Sequence, residues 1–260
     1  MTLPPSDLAR YPSLAGKTVL VTGGGSGIGA AMSVLFAEQD CDVVLFDIAD
    51  EPSEALAAAL RGNGKRATYL RCDVTDVATL QEAIRDTERD RGRVDVLINN
   101  AARDDRQELM SASVEYWEQA MAVNLRHHLF ATQAVVPGME RRGGGSIINM
   151  GSVSWMRGRP GMVGYSTAKA AIDGLTRTLA RELGAKNIRV NAIVPGAILT
   201  ERQRALWLTP EQNDAFLALQ ALKFRLEASD VARVALFVAS DEARGCTGAN
   251  FIVDAGLTQN

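Results

Sequence analysis

The chain has 260 residues, of which 47 % are hydrophobic and 23 % charged, with a formal net charge of −3. This is ordinary globular composition, and enough chain for one large α/β domain with a full core. No basic stripe or run of like charge points to nucleic acid or an anionic membrane, so neither is expected as a partner.

The N-terminal stretch Met1–Gly16 is polar, carries Pro4, Pro5 and Pro12, and lacks the apolar run of a signal peptide. Residues 1–15 read as an arm before the domain. Nowhere does the chain approach the ~18 apolar residues of a membrane-spanning helix, so the expected location is cytoplasmic. Cys41, Cys72 and Cys246 are scattered and lack C-x-x-C spacing. They read as reduced, buried thiols. No spaced His/Glu/Cys set suggests a metal.

In chain order, short apolar runs alternate with amphipathic ones. Thr18–Thr22, Asp42–Phe46, Ala67–Leu70, Val94–Ile98, Ser146–Met150, Ile188–Val194 and Asn250–Val253 read as strands. Several are continuous and β-branched, as strands covered on both faces should be. Three- and four-residue spacing predicts one helix over Val114–Val136, a second over Ser166–Leu183 and a third over Val231–Ala239 after a Ser229 cap. Strand–helix alternation implies parallel pairing with right-handed crossovers. The expectation is a single doubly wound α/β domain of Rossmann type over 16–260, with about seven parallel strands and helices on both faces. One long excursion, about residues 196–226, leaves the carboxyl edge of the sheet, where such segments cover a site.

Chemistry enters at the end of the first strand. Thr22–Gly29 reads TGGGSGIG, with Gly23, Gly27 and Gly29 in G-x-x-x-G-x-G spacing, and it opens a helix. Glycines there allow a tight turn and let the amides of residues such as Ser26 and Ile28 approach a pyrophosphate at the helix N-terminus. Asp47, eighteen residues after Gly29, ends the second strand and can accept hydrogen bonds from an adenosine ribose diol. It would repel the 2′-phosphate of NADP, and Ser26, Ile48 and Ala49 offer that phosphate no cation, so NAD is favoured over NADP. Asp73 ends the third strand in the same way.

Tyr165 and Lys169 lie four residues apart, one helical turn, and Ser152 lies thirteen residues before Tyr165. An ammonium beside a phenol favours the phenolate, lowering a pKa that starts at about 10. A nearby serine could hold a substrate oxygen, so the three suit proton abstraction from an alcohol.

These motifs together resemble the short-chain dehydrogenase/reductase family over essentially the whole chain. The matching residues are TGGGSGIG, Asp73-Val74, NNAA (Asn99–Ala102), Asn124 in VNL, Ser152, YSTAK (Tyr165–Lys169), PGAILT (Pro195–Thr200) and VDAG (Val253–Gly256). The resemblance implies that Tyr165 is the general acid/base and that Lys169 tunes it and binds the nicotinamide ribose. It implies that Ser152 holds the reacting oxygen, and that Asn124 bends the central helix and supports a water relay to Lys169. Asn100 and Ala101 would lie by the adenine ribose; Pro195, Gly196, Ile198 and Thr200 would line the nicotinamide. Ala102 stands where the family usually has glycine. Family members commonly form tetramers through two long helices, and Ala168, Ala170, Ala171 and Gly174 would let such helices approach.

Further segments are similar to a narrower group, the bacterial aldose 1-dehydrogenases of pentose oxidation, with D-xylose and L-arabinose 1-dehydrogenases the nearest comparison. They are Tyr11–Lys17, Asp104–Arg106, Val123–His127, Gly151–Trp155 and Arg202–Glu211. This implies a sugar substrate oxidised at C1. Trp155 is read with equal weight as a pocket wall or a core residue. Asp104, Asp105, Arg106 and Arg202 are candidate partners for sugar hydroxyls, and His127 and His128 are expected in the core or an interface. Two rivals stay open: another family oxidoreductase, acting on a sugar acid or a 3-oxoacyl group, and a non-catalytic NAD sensor.

Overall fold

A computed structural model describes residues 8–200 and 209–259. All seven expected strands are present: β1 Thr18–Thr22, β2 Asp42–Asp47, β3 Arg66–Arg71, β4 Val96–Asn99, β5 Gly145–Met150, β6 Ile188–Pro195 and β9 Asn250–Val253. They form one parallel sheet in the order β3-β2-β1-β4-β5-β6-β9. The chain steps outward from β1 to β3, returns across the sheet, and steps the other way from β4. A crevice therefore opens at the carboxyl ends of β1 and β4, the place where such sheets bind ligands.

The continuous apolar strands follow from covered faces. Val19, Val21, Val43, Leu45, Ile98 and Ile148 pack against α1 (Gly27–Glu38), α2 (Asp50–Gly62) and α9 (Ala228–Ala239). Their neighbours Leu20, Val44, Phe46, Leu97, Ile147 and Val190 pack on the opposite face. There they meet α3 (Val77–Arg91), α5 (His127–Arg141) and α7 (Val163–Leu183). Successive strand residues point to opposite faces, so two helical layers demand apolar residues at every position. Among the described residues no helix is long and apolar enough to cross a membrane.

The chain from Ala9 is stitched to the end of α1. Gln39 donates to the Ala9 carbonyl at 2.9 Å and accepts from the Tyr11 amide at 2.9 Å. Cys41 and Cys72 are buried free thiols, and burial pushes them up to about 12 and about 11, so both stay protonated.

Three expectations are corrected. The single helix over Val114–Val136 is α4 (Val114–Met121), a π turn at Ala122–Arg126, and α5. The cap of α9 is Glu227, not Ser229: the Glu227 amide donates to Asp230 at 2.8 Å in a reciprocal capping box. The helix carrying Tyr165 starts at Val163, three residues before Ser166. The 196–226 excursion contains α8 (Pro210–Leu219) and is closed by a two-residue parallel pairing of β7 (Ile198–Leu199) with β8 (Leu226–Glu227). Ile198 and Leu226 bury at this closure. Arg202, with the rest of residues 201–208, lies outside the described residues.

Candidate active site

The glycine turn is shaped by close approaches. Gly23 and Gly27 adopt φ of +63° and +53°, and a Cβ on Gly29 would sit 1.8 Å from the Gly23 carbonyl oxygen. A side chain at Gly23 or Gly29 would displace backbone, and the positive φ at Gly23 and Gly27 favours glycine. The run after β4 clamps the turn. Asn100 Nδ2 donates to the carbonyls of Thr22 and Gly23, each at 3.0 Å. Thr22 Oγ1 accepts from the amides of Asn100 at 2.9 Å and Ala101 at 3.1 Å. Among the described residues the one group within 4 Å of a Cβ position on Gly27 is the Thr200 methyl, at 3.7 Å. Ser26 caps α1 by position, without a side-chain hydrogen bond. The arrangement is a glycine cradle at the N-terminus of α1.

Asp47 ends β2 beside this cradle. Its Oδ2 accepts from the Gly25 amide at 3.0 Å, and its Oδ1 from the amides of Ile48 at 2.8 Å and Ala49 at 3.1 Å. Ile48 is exposed. Sequence reasoning missed Arg71, which donates to the Ile48 carbonyl at 2.8 Å and pairs with Asp50. It is a cation in the corner where none was expected, but one already neutralised. Asp73 folds back on its own turn, accepting from Thr75 N at 2.9 Å and Thr75 Oγ1 at 2.7 Å, and Val74 is buried.

Ser152 follows β5, while Tyr165 and Lys169 project from the first turns of α7. Lys169 is buried; its Nζ donates to the Met150 carbonyl at 2.7 Å and lies 5.7 Å from the Tyr165 ring centroid. The electrostatics differ from the expectation that Lys169 would lower Tyr165. Burial pushes Tyr165 up to about 12, against the Ser152 hydroxyl, which pulls it down, and with the Asp104 charge, which pushes it further up. Burial pushes Lys169 down to about 7. Loss of water is the leading cause for both groups.

Asn124 sits at the centre of the π turn and is buried. Its Nδ2 donates to the Ala120 carbonyl at 3.0 Å, and its Oδ1 accepts from the Arg103 amide at 2.9 Å. Asn124 thus ties the helix break to the loop after β4 and makes no direct bond to Lys169 among the described residues. His127 and His128 are core residues. Burial and the Lys169 charge hold His127 down at about 3, and burial lowers His128 too, so both are neutral. His128 and Asn99 share Asn149, at 3.2 and 2.9 Å, and Asn149 reaches Thr176 at 3.1 Å.

A cavity of about 340 Å³ joins these parts. Ile28, Asn100 and Ala102 line its cradle end; Ser152, Tyr165 and Lys169 line one wall; Pro195, Gly196, Ile198 and Thr200 line another. Asp104 and Arg106 also line it. Trp155 does not: it is 38 % exposed on the short helix α6 (Ser154–Arg157). Val153 and Ser154 occupy the inward positions, and each helical step turns the next side chain by about 100°, which carries Trp155 outward. The aromatic wall is Phe216 of α8, and Arg157 and Arg159 stand beside it. Sequence reasoning missed these three. The one available signal was an aromatic within the covering excursion.

Among the described residues no cluster of three His, Cys, Asp or Glu could hold a metal. The family model described as enoyl-(acyl carrier protein) reductase matches residues 23–258. A D-xylose 1-dehydrogenase of Caulobacter vibrioides is 51 % identical over 95 % of this chain and 98 % of its own length. A probable galactose dehydrogenase of Rhizobium meliloti is 46 % identical over 99 % of this chain and all of its own. A crystal structure from Burkholderia xenovorans, assigned to the short-chain dehydrogenases/reductases, superposes with a TM-score of 0.89 at 34 % identity, covering 96 % of this chain and 99 % of that one. With the parallel sheet, the glycine cradle and the Ser152–Tyr165–Lys169 cavity, these matches make the chain a member of the short-chain dehydrogenase/reductase family of oxidoreductases.

Proposed function

We propose that the chain oxidises an aldopyranose, a pentose such as L-arabinose or D-xylose, at C1 to the aldonolactone, with NAD as the hydride acceptor. The observation that carries this reading is the convergence of Ser152, Tyr165 and Lys169 on a cavity continuous with the glycine cradle. The names of the two relatives, a D-xylose 1-dehydrogenase and a probable galactose dehydrogenase, support the sugar.

The residues fit a dinucleotide. Among the described residues only the Thr200 methyl comes within 4 Å of a Cβ position on Gly27, and the first amides of α1, from Gly27 on, have no partner within the helix. Gly23, Ser26, Gly27, Ile28 and Gly29 would hold the pyrophosphate, and Asp47 with Ile48 the adenosine ribose. Asp73, Val74, Asn100 and Ala101 would border the adenine side; Lys169, Pro195, Gly196, Ile198 and Thr200 would border the nicotinamide side. When bound, the nicotinamide supplies the acceptor for the C1 hydride. Ser152 orients the C1 hydroxyl, and Tyr165 takes its proton. Lys169 stands behind Tyr165, and the Met150 carbonyl fixes its ammonium. The test is NADH formation across an aldose panel. Turnover of another alcohol with none of any aldose would sink the reading.

Cofactor choice rests on Asp47. Replacing Asp47 by Ser and Ile48 by Arg removes a charged acceptor and supplies a cation. The expected result is a fall of about 10²-fold in kcat/KM for NAD, roughly the loss of one charge-assisted hydrogen bond or two, with a rise for NADP. Steady-state kinetics with both cofactors checks it; an unchanged NAD/NADP ratio would refute the role of Asp47.

The pH profile separates two neighbours of Tyr165. Oxidation needs Tyr165 deprotonated, so kcat/KM rises with pH. The Ser152 hydroxyl lowers the Tyr165 pKa and the Asp104 charge raises it. Ser152→Ala should therefore move the rising limb to higher pH, and Asp104→Asn to lower pH. Shifts in one common direction would contradict this electrostatic reading.

Assembly as a homotetramer is part of the proposal. Ala168 packs inward, whereas Ala171 and Gly174 face outward on α7, and a Cβ on Gly174 would meet nothing within 4 Å. Sedimentation velocity should give a four-chain particle; a monomer would contradict it.

A further inference from the structure

We infer that the cavity is built for an anionic carbohydrate, a sugar bearing a carboxylate or phosphate at a carbon remote from C1. This rests on the reading that the site oxidises an aldopyranose at C1, and puts an acidic aldopyranose in place of the neutral pentose.

The argument starts from the wall that faces the excursion. The guanidinium carbons of Arg157, Arg159 and Arg225 lie 5.7, 5.2 and 5.1 Å from the centroid of one ring, Phe216. Some arginines elsewhere are matched with carboxylates, as Arg93 with Asp95, Arg141 and Arg142 with Glu88, and Arg177 with Asp173, and the buried Arg189 is matched with three backbone carbonyls. None of the three around Phe216 makes an ion pair among the described residues. Arg225 donates to Asn213 Oδ1 at 3.3 Å, and its Nε and Nη2 are buried without a partner. A ring face attracts one cation; it does not balance three that repel one another.

Arg157 and Arg159 line the cavity itself, on the segment that follows Ser152. Asp104 is the one carboxylate among the described lining residues, and its charge acts on Tyr165, at the reacting end. Among the described residues the Phe216 end thus carries a cationic excess. Burial, then the charges of Arg157 and Arg106, depress Arg159, as expected where like charges crowd. A planar guanidinium fork matches a carboxylate or phosphate bidentately, and two adjacent forks match one such group better than any neutral hydroxyl. With C1 at Tyr165, an acidic group at the far end of the sugar meets this wall. A neutral pentose leaves it unmatched.

The experiment uses the full chain with NAD. Steady-state kcat/KM is measured for D-xylose, D-galactose, D-galacturonate, D-galactose 6-phosphate and 3-hydroxybutyrate, at low and high sodium chloride. The expected result is that one of the two acidic sugars exceeds D-galactose by at least about tenfold, the range of a charge-assisted hydrogen bond. That advantage should shrink in high salt. Which of the two is preferred distinguishes carboxylate from phosphate. Arg157→Gln with Arg159→Gln should collapse the acidic-to-neutral ratio by a similar factor, and Tm and NAD affinity show that the variant is folded. A ratio at or below one, unmoved by the double variant, overturns the anionic inference and leaves the aldose reading standing. Oxidation of 3-hydroxybutyrate with no sugar used would overturn the aldose reading while supporting an anion-selective wall.

Discussion

Tyr165→Phe is expected to keep NAD binding and lower NADH formation by about 10³-fold or more, the range of a lost general base. The substitution removes one oxygen and leaves the ring that packs beside Lys169. Three kinds of neighbour are poorly placed to take over. Lys169 is directed at the Met150 carbonyl. His127 and His128 are buried and too weakly basic, with His127 held at about 3. Ser152 has no base of its own. The measurement pairs single-turnover kinetics with calorimetric NAD binding. Activity within tenfold of the parent, at unchanged NAD affinity, would remove Tyr165 from the chemistry and with it the proposed mechanism.

What was legible in the sequence follows from how locally each feature is encoded. The strands could be read because two helical layers require unbroken apolar runs, and Val19–Val21 or Val43–Phe46 carry that signal by themselves. The glycine turn could be read because Gly29 and Gly23 approach at a distance only glycine permits. The π turn was hidden: one extra residue per turn around Asn124 barely disturbs three- and four-residue spacing, so Val114–Val136 read as one helix. The α9 cap was misplaced because Ser229 fits the preferred residue type, while Glu227 and Asp230 fill the roles in reverse. Trp155 was equally readable as wall or core, and α6 turns it out; Phe216 arrives from more than sixty residues away. Electrostatics were least legible. Spacing brings an ammonium to a phenol, but desolvation depends on the whole fold, and here it sets the sign for both groups. The arginine cluster is non-local in the same sense: Arg157, Arg159 and Arg225 meet only because β8 closes the excursion over the cavity.

Lys169→Met should separate function from stability in opposite directions. Catalysis falls by about 10²-fold or more, because the donor that stands beside Tyr165 and would border the nicotinamide side is lost. Stability of the protein alone rises near pH 6–7 by about 2 kcal/mol, a figure reduced from the full linkage value because the Met150 carbonyl loses its donor. The sign follows from the proton count. Lys169 titrates at about 7 when folded and at 10.5 as an unperturbed side chain. Below pH 7 it is charged in both states, and the folded state bears the whole burial cost. Between pH 7 and 10.5 the unfolded chain keeps a proton that the folded chain has shed, so unfolding free energy climbs with pH. Methionine has no such slope, and the advantage of the variant fades toward pH 10. Tyr165 acts in a later window: raised from 10 to about 12, it stabilises the fold below pH 10 and loses that contribution as pH rises toward 12. Urea unfolding from pH 6 to pH 10 reads the slope directly. A variant less stable than the parent at pH 6, or one with an unaltered slope, would show that Lys169 is held charged at little cost, and would leave the burial account of the Tyr165–Lys169 pair without support.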